Sequence, residues 1–113
     1  MVELVENGAF LFDPKATQKA VTTFIDGVFR QHPDIDTLTL SSTHLPWLRS
    51  FFEAARPSCQ FLDPAESIVA GLGDGTPGTG QIQGLVTESE TYDIETFRRM
   101  LQQFGVDIPL EVV

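Results

Sequence analysis

Apolar and polar positions switch between two periodicities along the chain. From Phe12 to His32 the apolar residues recur at helical spacing, with Ala20, Val21, Phe24, Ile25, Val28 and Phe29 on one stripe. Asp13 and Pro14 supply an N-cap followed by proline at the first helical position, and Pro33 stops the helix. Residues 36–42, Asp-Thr-Leu-Thr-Leu-Ser-Ser, are too short and too β-branched for a helix and predict a buried strand. Pro46 opens a second helix whose inward face is Trp47, Leu48, Phe51, Phe52 and Ala55, and Pro57 ends it. Residues 58–63 read as a second strand. Asp63-Pro64 repeats the cap-and-proline start, and residues 65–72 form a short helix. Residues 73–80 hold four glycines and a proline and predict a flexible loop. A third strand follows over 82–88. A helix over 92–105 has Ile94, Phe97, Leu101 and Phe104 inward, with Gly105 as its C′ residue. Residues 108–113 suit a final strand.

Helices alternating with short strands predict an α/β fold: a mostly parallel sheet with helices on both faces. At 113 residues the expectation is a single α/β domain over 1–113. Ligands of such sheets bind outside the carboxyl ends of the strands. The polar run Ser41-Ser42-Thr43-His44 and Asp63 are both expected at that edge.

Charge and cysteine use narrow the function classes. A net charge of −9 repels phosphate backbones and anionic membranes, so nucleic-acid and membrane partners are not expected. An anionic substrate would need locally arranged donors. Cys59 is the only cysteine, which rules out an intramolecular disulfide and a cysteine-rich zinc site. His32 and His44 alone do not make a metal cluster, and no metal is expected. No apolar run has transmembrane length, and no basic segment precedes a signal-like apolar one. A cytoplasmic location is the expectation.

The polar strand end carries the candidate chemistry. A strand running directly into a helix exposes backbone N–H groups that favour an anion such as a carboxylate. A histidine beside them can move protons near neutral pH. The plainer alternative is that Ser42 and Thr43 cap the Pro46 helix and that His44 is a satisfied surface residue. A serine hydrolase is weaker still, because the GxSxG pattern is absent. Asp63 could orient backbone at the second strand end or simply cap the Pro64 helix. The glycine loop lacks the Gly-Lys-Ser/Thr ending of a phosphate loop. Glu88, Glu90 and Asp93 could hold a cation or be a solvated helix start, and Arg98 and Arg99 read as surface residues. Cys59, at the start of a strand, reads as a small buried hydrophobe.

Residues 36–52, followed by Cys59–Ala70, resemble the second half of glutamate racemase, of the cofactor-independent aspartate/glutamate racemase superfamily. The family pattern is a strand, Gly-Cys-Thr-His, a leucine or aromatic, proline, a helix, and a strand ending in Asp-Ser-Gly. Here Ser41-Ser42-Thr43-His44-Leu45-Pro46 and later Leu62-Asp63 stand in that order. Residues 2–8, Val-Glu-Leu-Val-Glu-Asn-Gly, resemble the family's Val-Pro-Leu-Val-Glu-x-Gly. Residues 85–105 resemble its C-terminal strand, Thr-Ser and final helix. The resemblance thus covers nearly the whole chain.

That resemblance implies an isomerase of peptidoglycan synthesis that interconverts L- and D-glutamate with two cysteines and no cofactor. One thiolate removes the α-proton while the other thiol donates a proton to the opposite face. By position, Ser42 falls on the second cysteine, Thr43 on a substrate-binding threonine, and His44 on the histidine that assists the second thiol and helps bind substrate. Glu6 falls on the glutamate that partners that histidine. A buried carboxylate beside an imidazole fixes its tautomer and favours its charged form. Two departures stand out. A serine hydroxyl is a far weaker acid than a thiol, and Ser41 replaces the family's glycine. The 113 residues also carry no counterpart of the family's N-terminal half, which holds the first cysteine. A cut piece, a natural short protein and a Cys→Ser variant all fit this pattern. The expectation is a half-enzyme, inactive alone, that self-associates or pairs with a missing N-terminal half. The alternative is a non-catalytic binding or interaction module with an anion-binding strand end.

Overall fold

The structure is a computed structural model that describes residues 1–113, and the chain divides into two compact units, Met1–Gly73 and Asp74–Val113. The first unit opens with two short helices, α1 (Val2–Glu6) and α2 (Ala9–Phe12). Gly8 joins them at φ 76°, a left-handed conformation that suits glycine. The long helix α3 (Pro14–Gln31) starts where the sequence predicts, because the Asp13 carboxylate accepts a hydrogen bond from the Ala16 N–H. Strand β1 (Thr37–Thr39) leads through the polar turn to a 3-10 turn, Leu45–Leu48, continued by α4 (Arg49–Ala55). Strand β2 (Gln60–Leu62) precedes α5 (Pro64–Gly71). Asp63 caps α5 by accepting from the Ala65 N–H.

The core of this unit lies between α3, α4 and the β1–β2 ladder. Val21, Ile25 and Leu48 are fully buried, and Leu40, Phe52 and Phe61 nearly so. The Phe52 and Phe61 rings stack with centroids 5.5 Å apart, and Phe24 meets Phe52 edge-on at 6.5 Å. Gln18 ties α3 to α4 by donating from Nε2 to the Phe51 carbonyl at 3.0 Å. The stripes are narrower than the spacing predicts. Phe24 and Trp47 are about half exposed although both fall on the apolar faces. Phe24 keeps only its edge-on contact with Phe52 among the ring contacts, and Trp47 lies in the 3-10 turn with its ring 6.4 Å from that of Phe10.

The second unit holds β3 (Gly84–Val86), α6 (Ile94–Gln103) and β4 (Leu110–Val112). Asp93 caps α6 through the Thr96 N–H at 2.8 Å. Gly105, at φ 69°, closes the helix: its N–H donates to the Gln102 carbonyl and the Val106 N–H to the Leu101 carbonyl. Of the face predicted inward, Phe97 and Phe104 are exposed and Ile94 and Leu101 are half-buried; the buried residue of the helix is Met100, which the predicted face did not include. One helix and two three-residue strands cannot enclose a full apolar stripe.

The molecule mixes helices with parallel strands, but it does not form the single sheet covered on both faces that the element order predicts. β1 pairs with β2 and β3 with β4, each pair parallel, giving two separate two-stranded sheets. Thr37, Leu38 and Thr39 face Gln60, Phe61 and Leu62 in register, and Gly84 and Val86 face Leu110 and Val112. The strands span only three residues each, so each forms one ladder. No helix is long and apolar enough to cross a membrane.

Candidate functional site

Because β1 and β2 are parallel and in register, they end at the same edge. The Leu40 N–H donates to the Leu62 carbonyl at 2.8 Å and carries the ladder one residue past β1. Both polar segments therefore emerge side by side. They line a groove of about 580 Å³ with Leu40, Ser41, Ser42 and Thr43 on one side, Asp63 and Ile68 on the other, and Trp47 between.

Within the turn, Ser42 Oγ accepts from the backbone N–H groups of His44 and Leu45, both at 3.4 Å. These long bonds are local side-chain-to-backbone contacts that close the turn ahead of the 3-10 segment. Thr43 is exposed on the groove wall. His44 occupies the N-cap position of the 3-10 turn, and its carbonyl accepts from the Trp47 N–H at 3.2 Å.

The tertiary structure adds the carboxylate. Glu6, the last residue of α1, places Oε1 3.2 Å from His44 Nε2. This pair is not buried: the side chains are 31% and 40% exposed for His44 and Glu6. Packing around it fixes the approach, since Val5 and Phe10 are buried and the Phe10 ring lies 6.4 Å from that of Trp47. The carboxylate orients the imidazole, which is the part of a proton-transfer device that a histidine cannot supply alone. His44 and Glu6 sit beside the groove and are not part of its lining.

Other candidates resolve into structure. The Asp63 carboxylate is engaged in its cap. Asp93 Oδ2 also accepts from Thr96 Oγ1, and Glu88 Oε2 accepts from the Ile94 N–H at 3.4 Å. Those two acids serve the start of α6. Burial pushes the Cys59 thiol up, aided by the Asp36 carboxylate and opposed by a Leu38 backbone hydrogen bond and Arg56. A protonated, buried thiol is a poor nucleophile.

A wider concavity, about 820 Å³, lies along β2, α4 and α5 and was not visible in the sequence pattern. Arg49 spans it, bonded to Glu53 at 2.9 Å and to Glu66 at 2.7 Å. The i,i+4 spacing of Arg49 and Glu53 was the one readable signal there. The guanidinium is held between two carboxylates, which raise its already high affinity for its proton.

Comparison with family models, with curated proteins and with solved structures returned no match to this chain.

Proposed function

We propose that the chain is a glutamate racemase-like half-site that recognises glutamate and does not racemise it alone. The observation that carries this reading is the Glu6–His44 pair, 3.2 Å apart, adjoining the strand-end turn that holds Ser42 and Thr43. These are the four positions for which the sequence resemblance implies a joint role. The proposal extends to the fold, that of the C-terminal half of the racemase family, for which parallel pairing of β1 with β2 is the support. Peptidoglycan precursor synthesis, a cytoplasmic location and chemistry without a cofactor belong to the same proposal.

In the two-base reaction a base on one face takes the α-proton and an acid on the other returns one, leaving a carbanion only in between. In this chain Ser42 would supply the second group. Its oxygen already accepts two backbone N–H groups and its hydroxyl is a weak acid, so it neither gives nor takes the proton. Thr43 would hold a substrate carboxylate at the groove, with His44 oriented by Glu6.

A second reading, a non-catalytic binding or interaction module, is favoured by one observation. Ser42 and Thr43 line the groove, whereas His44 and Glu6 do not. Deuterium wash-in at Cα separates the two. The chain is incubated in D₂O with L- or D-glutamate, beside Ser42→Cys, and the α-proton is followed by NMR. The half-site reading expects no exchange by the unmodified chain and slow exchange of one enantiomer by Ser42→Cys. Silence from both, with glutamate-dependent amide shifts at Thr43, would favour the binding module. Exchange by the unmodified chain would overturn both readings.

A further inference from the structure

Asp63 is the one charged residue that lines the groove at the ends of β1 and β2. None of the chain's seven lysines and arginines lines it. Arg49, at the start of α4, is engaged by Glu53 and Glu66 in the neighbouring concavity. The backbone donors that favour an anion at a strand end are also taken. Ser42 Oγ accepts from the His44 and Leu45 N–H groups, and Asp63 Oδ1 accepts from that of Ala65 at 2.9 Å. The half-buried Asp63 carboxylate makes that one bond. A carboxylate accepts at both oxygens, so its second oxygen is open to a donor in the groove.

The rest of the lining is largely apolar. Leu40, Pro46 and Trp47 come from the β1 side, and Pro64, Ala65 and Ile68 from the β2 side. Helix α5 carries an exposed apolar stripe of Ala65, Ile68, Val69 and Leu72 at helical spacing, and its first two members form this wall. Apolar walls with a few placed polar groups are the pattern of a small-molecule site. Paired strands lie about 4.8 Å apart, so one small ligand reaches Asp63 and both walls together. A bare divalent ion does not fit, because it needs several oxygen ligands and no three acidic, histidine or cysteine side chains converge in this chain. A cation with an apolar body matches both the charge and the walls.

We infer that the groove binds a small organic ammonium, its N–H groups donating to Asp63 and its apolar body lying along Trp47 and Ile68. Trp47 is half exposed, and a cation beside an indole face gains further attraction. The inference rests on the proposed function only in its choice of groove. For an amino acid it assigns the α-ammonium to Asp63, on the strand end facing the Thr43 turn.

The test is an NMR titration of the full chain with 2-phenylethylamine and with 3-phenylpropionate, an ammonium and a carboxylate on similar bodies. Saturable amide shifts at Ser42, Thr43, Ala65 and Ile68 are expected for the amine, with binding of the carboxylate weaker by about tenfold or more. Ethylamine, which lacks the apolar body, should also bind about tenfold more weakly. Asp63→Asn keeps a good helix cap and should weaken the amine about tenfold. Ile68→Ser, at an exposed position, should weaken the amine without touching that cap. No saturable shift with the amine, a preference for the carboxylate, amine binding unchanged in Asp63→Asn, or shifts centred on Thr39 and Gln60 in the neighbouring concavity would each overturn the inference. Amine binding by a chain that gives no response to glutamate would overturn the proposed function and leave the inference standing. A glutamate response that Asp63→Asn leaves unchanged, without amine binding, would do the reverse.

Discussion

Glu6 Oε1 lies 3.2 Å from His44 Nε2, joining the end of the first helix to the turn after β1. Both side chains remain partly in water, at 40% and 31% exposure. Solvent screens such a pair, so its contribution to stability is small even though it aims the imidazole. A double-mutant cycle with Glu6→Gln and His44→Asn should give a coupling of about 0.2–1 kcal/mol by urea denaturation. The coupling should shrink with added salt. A coupling of several kcal/mol would mean that the pair is enclosed.

Leu48 should matter far more to stability than its neighbour Trp47. Leu48 is fully buried beneath the 3-10 turn, whereas Trp47 is half exposed on the groove. Leu48→Ala removes packed methyl groups and should cost roughly 2–5 kcal/mol. Trp47→Ala should cost less, through its contact with Phe10. Chemical denaturation of the two variants ranks them directly, and the reverse order would place the core elsewhere.

The thiol of Cys59 should be nearly inert in the folded chain. Burial and the Asp36 carboxylate hold its proton more tightly than in a free cysteine. Alkylation by iodoacetamide at mildly alkaline pH should be roughly tenfold or more slower in the native state than in urea. Mass spectrometry reads the rate, and equal rates would contradict the burial of the side chain.

Acid should weaken the second unit partly through Asp93. Its carboxyl is held below the usual range, chiefly by the Thr96 N–H at the start of α6. The folded form therefore binds its proton less readily than the unfolded chain does. The resulting stabilisation is present above the unfolded value and disappears as pH falls through the lowered folded one. Asp93→Asn keeps a good cap without the titration. The acid limb of α6 helicity, followed by circular dichroism, should flatten in that variant, and an unchanged limb would assign the acid sensitivity to other groups.

Local signals carried much of the secondary structure. Asp13-Pro14, Asp63-Pro64, Asp93 and Gly105 each mark a helix end in the structure, because capping depends on neighbours within a few residues. The β-branched run at residues 37–39 likewise became a strand. The sequence by itself thus determined where α3, α5 and α6 start and stop, the parallel sense implied by α/β alternation, and the polar character of the strand end, but it missed α1 and α2 and did not show that the segment after Pro46 begins as a 3-10 turn. Only the tertiary structure decided the rest. It gave two separate ladders in place of one sheet, left Phe97, Phe104 and the α5 stripe exposed, and set Arg49 between Glu53 and Glu66. Even where resemblance paired Glu6 with His44, only the fold set their 3.2 Å separation and their exposure. The reason is physical: caps and periodicity are local, while strand partners and burial depend on which distant surfaces meet, and spacing along one chain does not encode that.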